Sequence, residues 1–87
     1  MTEGWRYDLS PQALRDMRRI NLSARQRIFA ALDLYVAERR GDVLKLRGRE
    51  DEWRLRVGDR RVLFRPNFQD RVVVVLRVLP RGRAYCR

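Results

Sequence analysis

The sequence predicts an α+β domain, with a helical hairpin packed on one face of a mostly antiparallel four-stranded sheet in the order β-α-α-β-β-β. Helical periodicity is confined to residues 11–40, whereas period-two alternation occurs near Trp5 and returns after Trp53. The pair Gly58-Asp59 joins two alternating runs, WRLRV and RRVLFR, as the turn of a β-hairpin. With 87 residues the chain is long enough for one domain and too short for two, so residues 1–87 are read as a single unit.

Trp5, Tyr7 and Leu9 alternate with Arg6 and Asp8, which predicts a first strand. Ser10-Pro11 predicts a helix start: the hydroxyl caps a free N–H, and proline at the first helical position gives up no bond. Leu14, Met17 and Ile20 supply that helix's apolar positions, and Asn21-Leu22 interrupts it. Ser23, with Gln26 three residues on, predicts a capping box for a second helix. Its apolar face is Ile28, Ala31, Leu32, Tyr35 and Val36. Gly41 is its expected stop, with Arg39 and Arg40 at the negative end of the helix dipole.

Val43–Leu46 is an extended approach to the charged loop RGREDE rather than a counted strand. Trp53–Val57 and Arg60–Arg65 are the arms of the hairpin, Pro66-Asn67 ends the second arm, and Val72–Leu79 is apolar enough for a strand buried on both faces.

The hairpin's register follows from its turn. Glycine in the first central position suits a type II′ turn, which sets Arg56 opposite Arg61, Leu55 opposite Val62 and Trp53 opposite Phe64. Trp53, Leu55, Val57, Val62 and Phe64 then share the core face, and Arg54, Arg56 and Arg61 share the other. Like charges opposed across strands destabilise by a few tenths of a kcal/mol when solvated, and an anion between them reverses the sign. A solvated polar face in an arginine-biased protein is the plainer reading of the same pattern. Lys45 and Arg47 extend the basic surface before the hairpin. LPRGRAYCR adds Arg81, Arg83 and Tyr85 afterwards, cations interleaved with an aromatic ring, a pattern that suits RNA binding and equally fits an exposed basic tail.

The formal charge is +10, with 21 Lys plus Arg against 11 Asp plus Glu, which predicts a polyanionic partner. Hydrophobic residues make up 45% of the chain, so it has a core and is not a basic tail. Histidine is absent, which removes imidazole acid–base catalysis and most metal sites; neither a metal nor a cofactor is expected. Cys86 is the single cysteine, so a reducing, cytoplasmic location is expected. MTEGWRYDL does not read as a signal peptide, and the longest apolar run, Val72–Leu76, is too short to span a bilayer.

KLRGREDEWRLRVGDRRVLF followed by VVVVLRVLPRGRAY resembles the RelE/ParE superfamily of bacterial toxins from type II toxin–antitoxin modules. The matching segments are Lys45–Gly48, Trp53–Arg56, Gly58–Phe64, Arg71–Leu79 and Arg81–Tyr85. The resemblance implies a RelE-like microbial ribonuclease fold. It also implies cleavage of mRNA in the ribosomal A site without metal, the substrate's 2′-hydroxyl attacking the adjacent phosphate.

Carried over, Arg61 is a phosphate clamp, Arg81 stabilises charge or assists the leaving 5′-oxygen, and Tyr85 stacks on a base or orients the nucleophile. Arg54 and Arg56 stand where active relatives often carry lysine. Arginine is a poor general base but a good electrostatic stabiliser, so either Tyr85 or a carboxylate such as Glu50 or Glu52 takes the proton, or activity is slow. The implied partners are a cognate antitoxin, the ribosome and mRNA. The alternatives are a ParE-like inhibitor of DNA gyrase without nuclease activity and a non-enzymatic nucleic-acid-binding module.

Overall fold

In a computed structural model, which describes residues 4–48 and 51–80, the helices sit on one face of a sheet with five strands rather than four. The elements are β1 (Arg6–Leu9), α1 (Pro11–Arg18), α2 (Leu22–Glu38), β2 (Asp42–Lys45), β3 (Trp53–Val57), β4 (Arg60–Asn67) and β5 (Val72–Pro80). The strand order is β1-β5-β4-β3-β2. Three of the pairings are antiparallel, and β1 runs parallel to β5.

The additional strand is β2. Its four residues are mostly exposed, so it carries almost no hydrophobic alternation; it is a strand because it pairs with β3, Val43 opposite Leu55 and Leu44 opposite Arg54. The fourth strand also runs past its expected end, since Pro66 pairs with Val73 and Asn67 with Val72. Proline is tolerated there because β3 pairs only as far as Phe64, which leaves β4 an open side beyond it.

Ser10 caps α1 as expected, its Oγ accepting from the Ala13 N–H at 3.0 Å. The same hydroxyl donates to the Leu76 carbonyl at 2.9 Å. Leu76 has no register partner in β4, where the pairing skips from Arg77 to Val75 at a bulge. The cap of α2 is Asn21 rather than Ser23, its Oδ1 accepting from the Ala24 N–H at 2.8 Å. The supposed interruption is therefore the helix start.

α2 also ends before Gly41. Arg39 adopts the left-handed conformation at φ 58, and its N–H donates to the Tyr35 carbonyl. Gly41 serves the packing instead: a Cβ built there would lie 2.7 Å from Leu55 Cδ1.

The main core joins Ala13 and Met17 of α1, Ile28, Leu32, Tyr35 and Val36 of α2, and Leu55, Val62, Phe64, Val73, Val75 and Val78 of the sheet. The apolar face expected of α2 is this one, and Trp5, Tyr7 and Leu9 pack against it from the β1 side. Leu14, expected on the apolar side of α1, is 45% exposed, and the buried position next to Met17 is taken by Asp16. No helix among the described residues is long and apolar enough to cross a membrane.

Candidate nucleic-acid interface

The β3–β4 hairpin forms in the expected register, with Arg56 opposite Arg61, Leu55 opposite Val62 and Trp53 opposite Phe64. Gly58 has φ 59 and Asp59 does not have a positive φ, the pattern of a II′ turn. The sheet therefore presents Arg54, Arg56 and Arg61 on the face away from the helices.

That face is less solvated than the alternation suggested. Arg56 is exposed, but Arg54 and Arg61 are only 8% and 7% exposed. A small apolar cluster of Leu46, Leu63 and Leu79 lies on the same side and makes a floor beside them. Leu79 is the cross-strand partner of Arg61, and Leu63 is the partner of Arg54.

β2 supplies the counter-charge absent from the sequence reading. Asp42 is the direct cross-strand partner of Arg56, and its Oδ1 and carbonyl oxygen accept from Arg54 Nη1 at 3.2 and 3.3 Å. Arg54 is thereby held across the edge of the sheet, while its buried Nε has no acceptor among the described residues. Three guanidiniums and one carboxylate give this part of the face a net positive charge.

Glu52, one of the two carboxylates considered as a base, shares the face by alternation. Its Oε2 accepts from Arg65 Nη2 at 2.9 Å, and its side chain is 17% exposed. That ion pair occupies one oxygen of the carboxylate. Lys45 does not join the arginines: it is paired with Trp53 on the helix side of the sheet, its Nζ 5.9 Å from the indole centroid. Arg47 is exposed in the turn after β2. Arg81, Arg83, Tyr85 and Glu50 lie outside the described residues.

A second basic feature sits at the same end of the sheet, where β5 meets the end of α1. A cavity of about 330 Å³ is lined by Asp16, Arg19, Ile20, Arg60, Arg77, Val78, Leu79 and Pro80. Asp16 accepts from Arg77 Nε at 2.9 Å, from Arg77 Nη2 at 3.3 Å and from the Val78 N–H at 2.8 Å. β1 pairs with β5 only as far as Val75, so Asp16 takes up an N–H that the strand ladder leaves over. Burial raises the Asp16 pKa, but the hydrogen bonds from Arg77 and Val78 and the Arg77 charge outweigh it and hold the carboxyl below the ordinary aspartate value. The same bond raises the Arg77 pKa. Nothing in the sequence pattern announces this pair, whose members lie 61 positions apart.

The family profile described as "ParE toxin of type II toxin-antitoxin system, parDE" matches residues 7–85. Among solved structures, the archaeal RelE–RelB complex of Pyrococcus horikoshii OT3 contains a chain 29% identical, with a TM-score of 0.74 over 92% of this chain and 98% of that one. The toxin–antitoxin complex RelBE2 of Mycobacterium tuberculosis gives 25% identity and a TM-score of 0.75 over 91% and 93% of the two chains. The isolated RelE toxin of E. coli shares the fold at 22% identity and a TM-score of 0.76, over 93% and 88%. No curated protein sequence matches.

Proposed function

This chain belongs to the RelE/ParE superfamily of toxins from type II toxin–antitoxin systems, and on that premise we propose that it is an mRNA interferase of the RelE kind. The observation that carries this reading is the pair of nearly buried guanidiniums, Arg54 and Arg61, set beside exposed Arg56 on an open sheet face. Burying a cation is costly unless it is paired. Asp42 compensates Arg54 in part, and among the described residues the buried Arg54 Nε has no acceptor. An RNA phosphodiester, whose two non-bridging oxygens accept from forked guanidinium donors, meets that demand.

In this reading the 2′-hydroxyl of the RNA attacks the adjacent phosphorus, the P–O5′ bond breaks, and a 2′,3′-cyclic phosphate and a 5′-hydroxyl form. Arg54, Arg56 and Arg61 stabilise the charge that develops on the phosphate oxygens. The resemblance assigns Arg81 to the leaving oxygen and Tyr85 to the nucleophile or a base, while Lys45, Arg47 and Arg83 supply RNA contacts outside the reacting group. The partner is a cognate antitoxin, as in the RelE–RelB complexes of the relatives. The exposed apolar side chains Leu14, Leu22, Phe29 and Leu34 on the helices offer it a surface.

The test is 5′-end mapping of mRNA on translating ribosomes. Cuts within coding regions that vanish when translation is blocked support the reading. Arg61→Ala is expected to slow cutting about 100-fold, as expected for loss of one preorganised charge-stabilising donor. Tyr85→Phe, with binding largely kept, separates cutting from binding.

The match to the ParE profile favours one other reading, inhibition of DNA gyrase without nuclease activity. Loss of supercoiling activity with mRNA left intact would select it.

A further inference from the structure

We propose that the cavity between the end of α1 and the ends of β4 and β5 is a binding site for a phosphomonoester, separate from the arginine face of the hairpin. Arg19 follows α1, Arg60 opens β4 and Arg77 lies in β5; all three line the cavity together with Asp16. Asp16 is already committed, its oxygens taken by Arg77 and the Val78 N–H. It therefore acts as a positioning residue, fixing one edge of the Arg77 guanidinium. The side chains of Arg19 and Arg60 have no hydrogen bond or ion pair to any described residue, although both border the same space.

Among the described residues, three guanidiniums against one carboxylate leave the cavity with a net charge of +2. A phosphomonoester carries a charge of about −1.5 to −2 near pH 7, with three strong acceptor oxygens. It matches both the charge and the donor count, which a single carboxylate with about four lone-pair sites does not. Ile20, Val78, Leu79 and Pro80 give the cavity an apolar side, and its volume of about 330 Å³ is at the small end of ligand sites. These features suit a nucleotide with its phosphate on the arginines and its sugar or base on the apolar wall.

Arg60 and Arg61 are consecutive in β4, so alternation sends one towards the cavity and the other to the hairpin face, and Leu79, the cross-strand partner of Arg61, borders both. The proposal does not depend on RNA cleavage. A protein that cuts no RNA can still bind here, and one that cuts RNA need not.

The experiment titrates full-length protein, labelled for NMR, with inorganic phosphate and with adenosine 5′-monophosphate. The Val78 amide and the Arg19 and Arg60 Nε–H resonances are expected to shift together and to saturate. Arg19→Gln/Arg60→Gln weakens binding at least about tenfold, whereas Arg15→Gln/Arg40→Gln, an equal change in charge on exposed arginines elsewhere, does not. Arg19→Lys/Arg60→Lys recovers part of the affinity, because charge returns without the fork.

Binding should also weaken as pH falls through about 6, where the monoester loses its second charge. Among the described residues, the charged groups facing the cavity are Asp16 in α1, Arg19 just after it, Arg60 on β4 and Arg77 on β5. The arginines do not titrate there, and Asp16 is held below its ordinary range.

A comparison of RNA oligonucleotides with 5′-phosphate and 5′-hydroxyl ends identifies the source of the phosphate. Preference for the phosphorylated end marks the site as a reader of chain ends, and equal binding of the free nucleotide marks it as a nucleotide site; both uphold the proposal. Shifts spread over all exposed arginines, binding unchanged in Arg19→Gln/Arg60→Gln, or tighter binding of a glutamate-rich peptide than of the nucleotide would overturn it.

Discussion

Asp42 decides how the arginine cluster behaves in the absence of substrate. Arg56 and Arg61 are direct cross-strand partners and repel, while Asp42 faces Arg56 and bonds Arg54 at 3.2 Å. The Asp42 side chain is 60% exposed, so the pair contributes no more than about 1 kcal/mol. Asp42→Asn is therefore expected to lower stability by up to about 1 kcal/mol in low salt. Its diagnostic property is recovery by an anion. Millimolar sulfate should raise the melting temperature of Asp42→Asn more than that of the unsubstituted protein, because the anion replaces the lost carboxylate. Equal sulfate effects on both would show that the hairpin face does not gather anions. Asp42 was illegible as part of the site because its strand is short, exposed and without alternation. Arg54, Arg56 and Arg61 were legible because alternation about a fixed turn places them with no knowledge of the rest of the fold.

At the scale of elements, Ser10 and Gly58 carry more than their neighbours. Ser10 Oγ serves the first turn of α1 and the Leu76 carbonyl at the β5 bulge. Ser10→Ala removes both bonds and is expected to cost about 2 kcal/mol, above an ordinary cap, as measured by urea unfolding. Gly58 sits at φ 59, where a side chain is strained. Gly58→Ala should cost about 1 kcal/mol and weaken RNA binding, because the register of the turn sets Arg56 against Arg61. Wild-type affinity in that variant would detach the site from the hairpin geometry. These elements also show where pattern reading succeeds. The hairpin and the buried face of α2 follow from local periodicity. The cap at Asn21, the stop at Arg39 and strand β2 depend on contacts made only after folding. Each was displaced because a stronger local signal lay nearby: Ser23 with Gln26, Gly41, and the charged loop.

The whole molecule carries a formal charge of +10, so its few carboxylates stabilise it out of proportion to their number. Asp16 is the most deeply placed of those described, tying α1 to β5 through Arg77 and Val78. Its folded-state pKa lies below the ordinary aspartate value near 3.9. In the unfolded chain the carboxyl has the ordinary value, so on acidification the unfolded state takes up the proton first. The stabilisation is therefore complete above about pH 5 and is lost as pH falls below 4 through the folded-state value. Asp16→Asn should cost about 2 kcal/mol at neutral pH, the range for hydrogen bonds to a charged group. The gap between the two proteins should close progressively below pH 4, when urea midpoints are compared across that range. A gap that stays constant to pH 2 would mean that Asp16 acts by shape rather than charge. The same substitution releases Arg77 at the cavity wall, so phosphate binding there should weaken together with acid sensitivity. That joint loss would tie the stability of the α1–β5 junction and the chemistry of the cavity to one carboxylate.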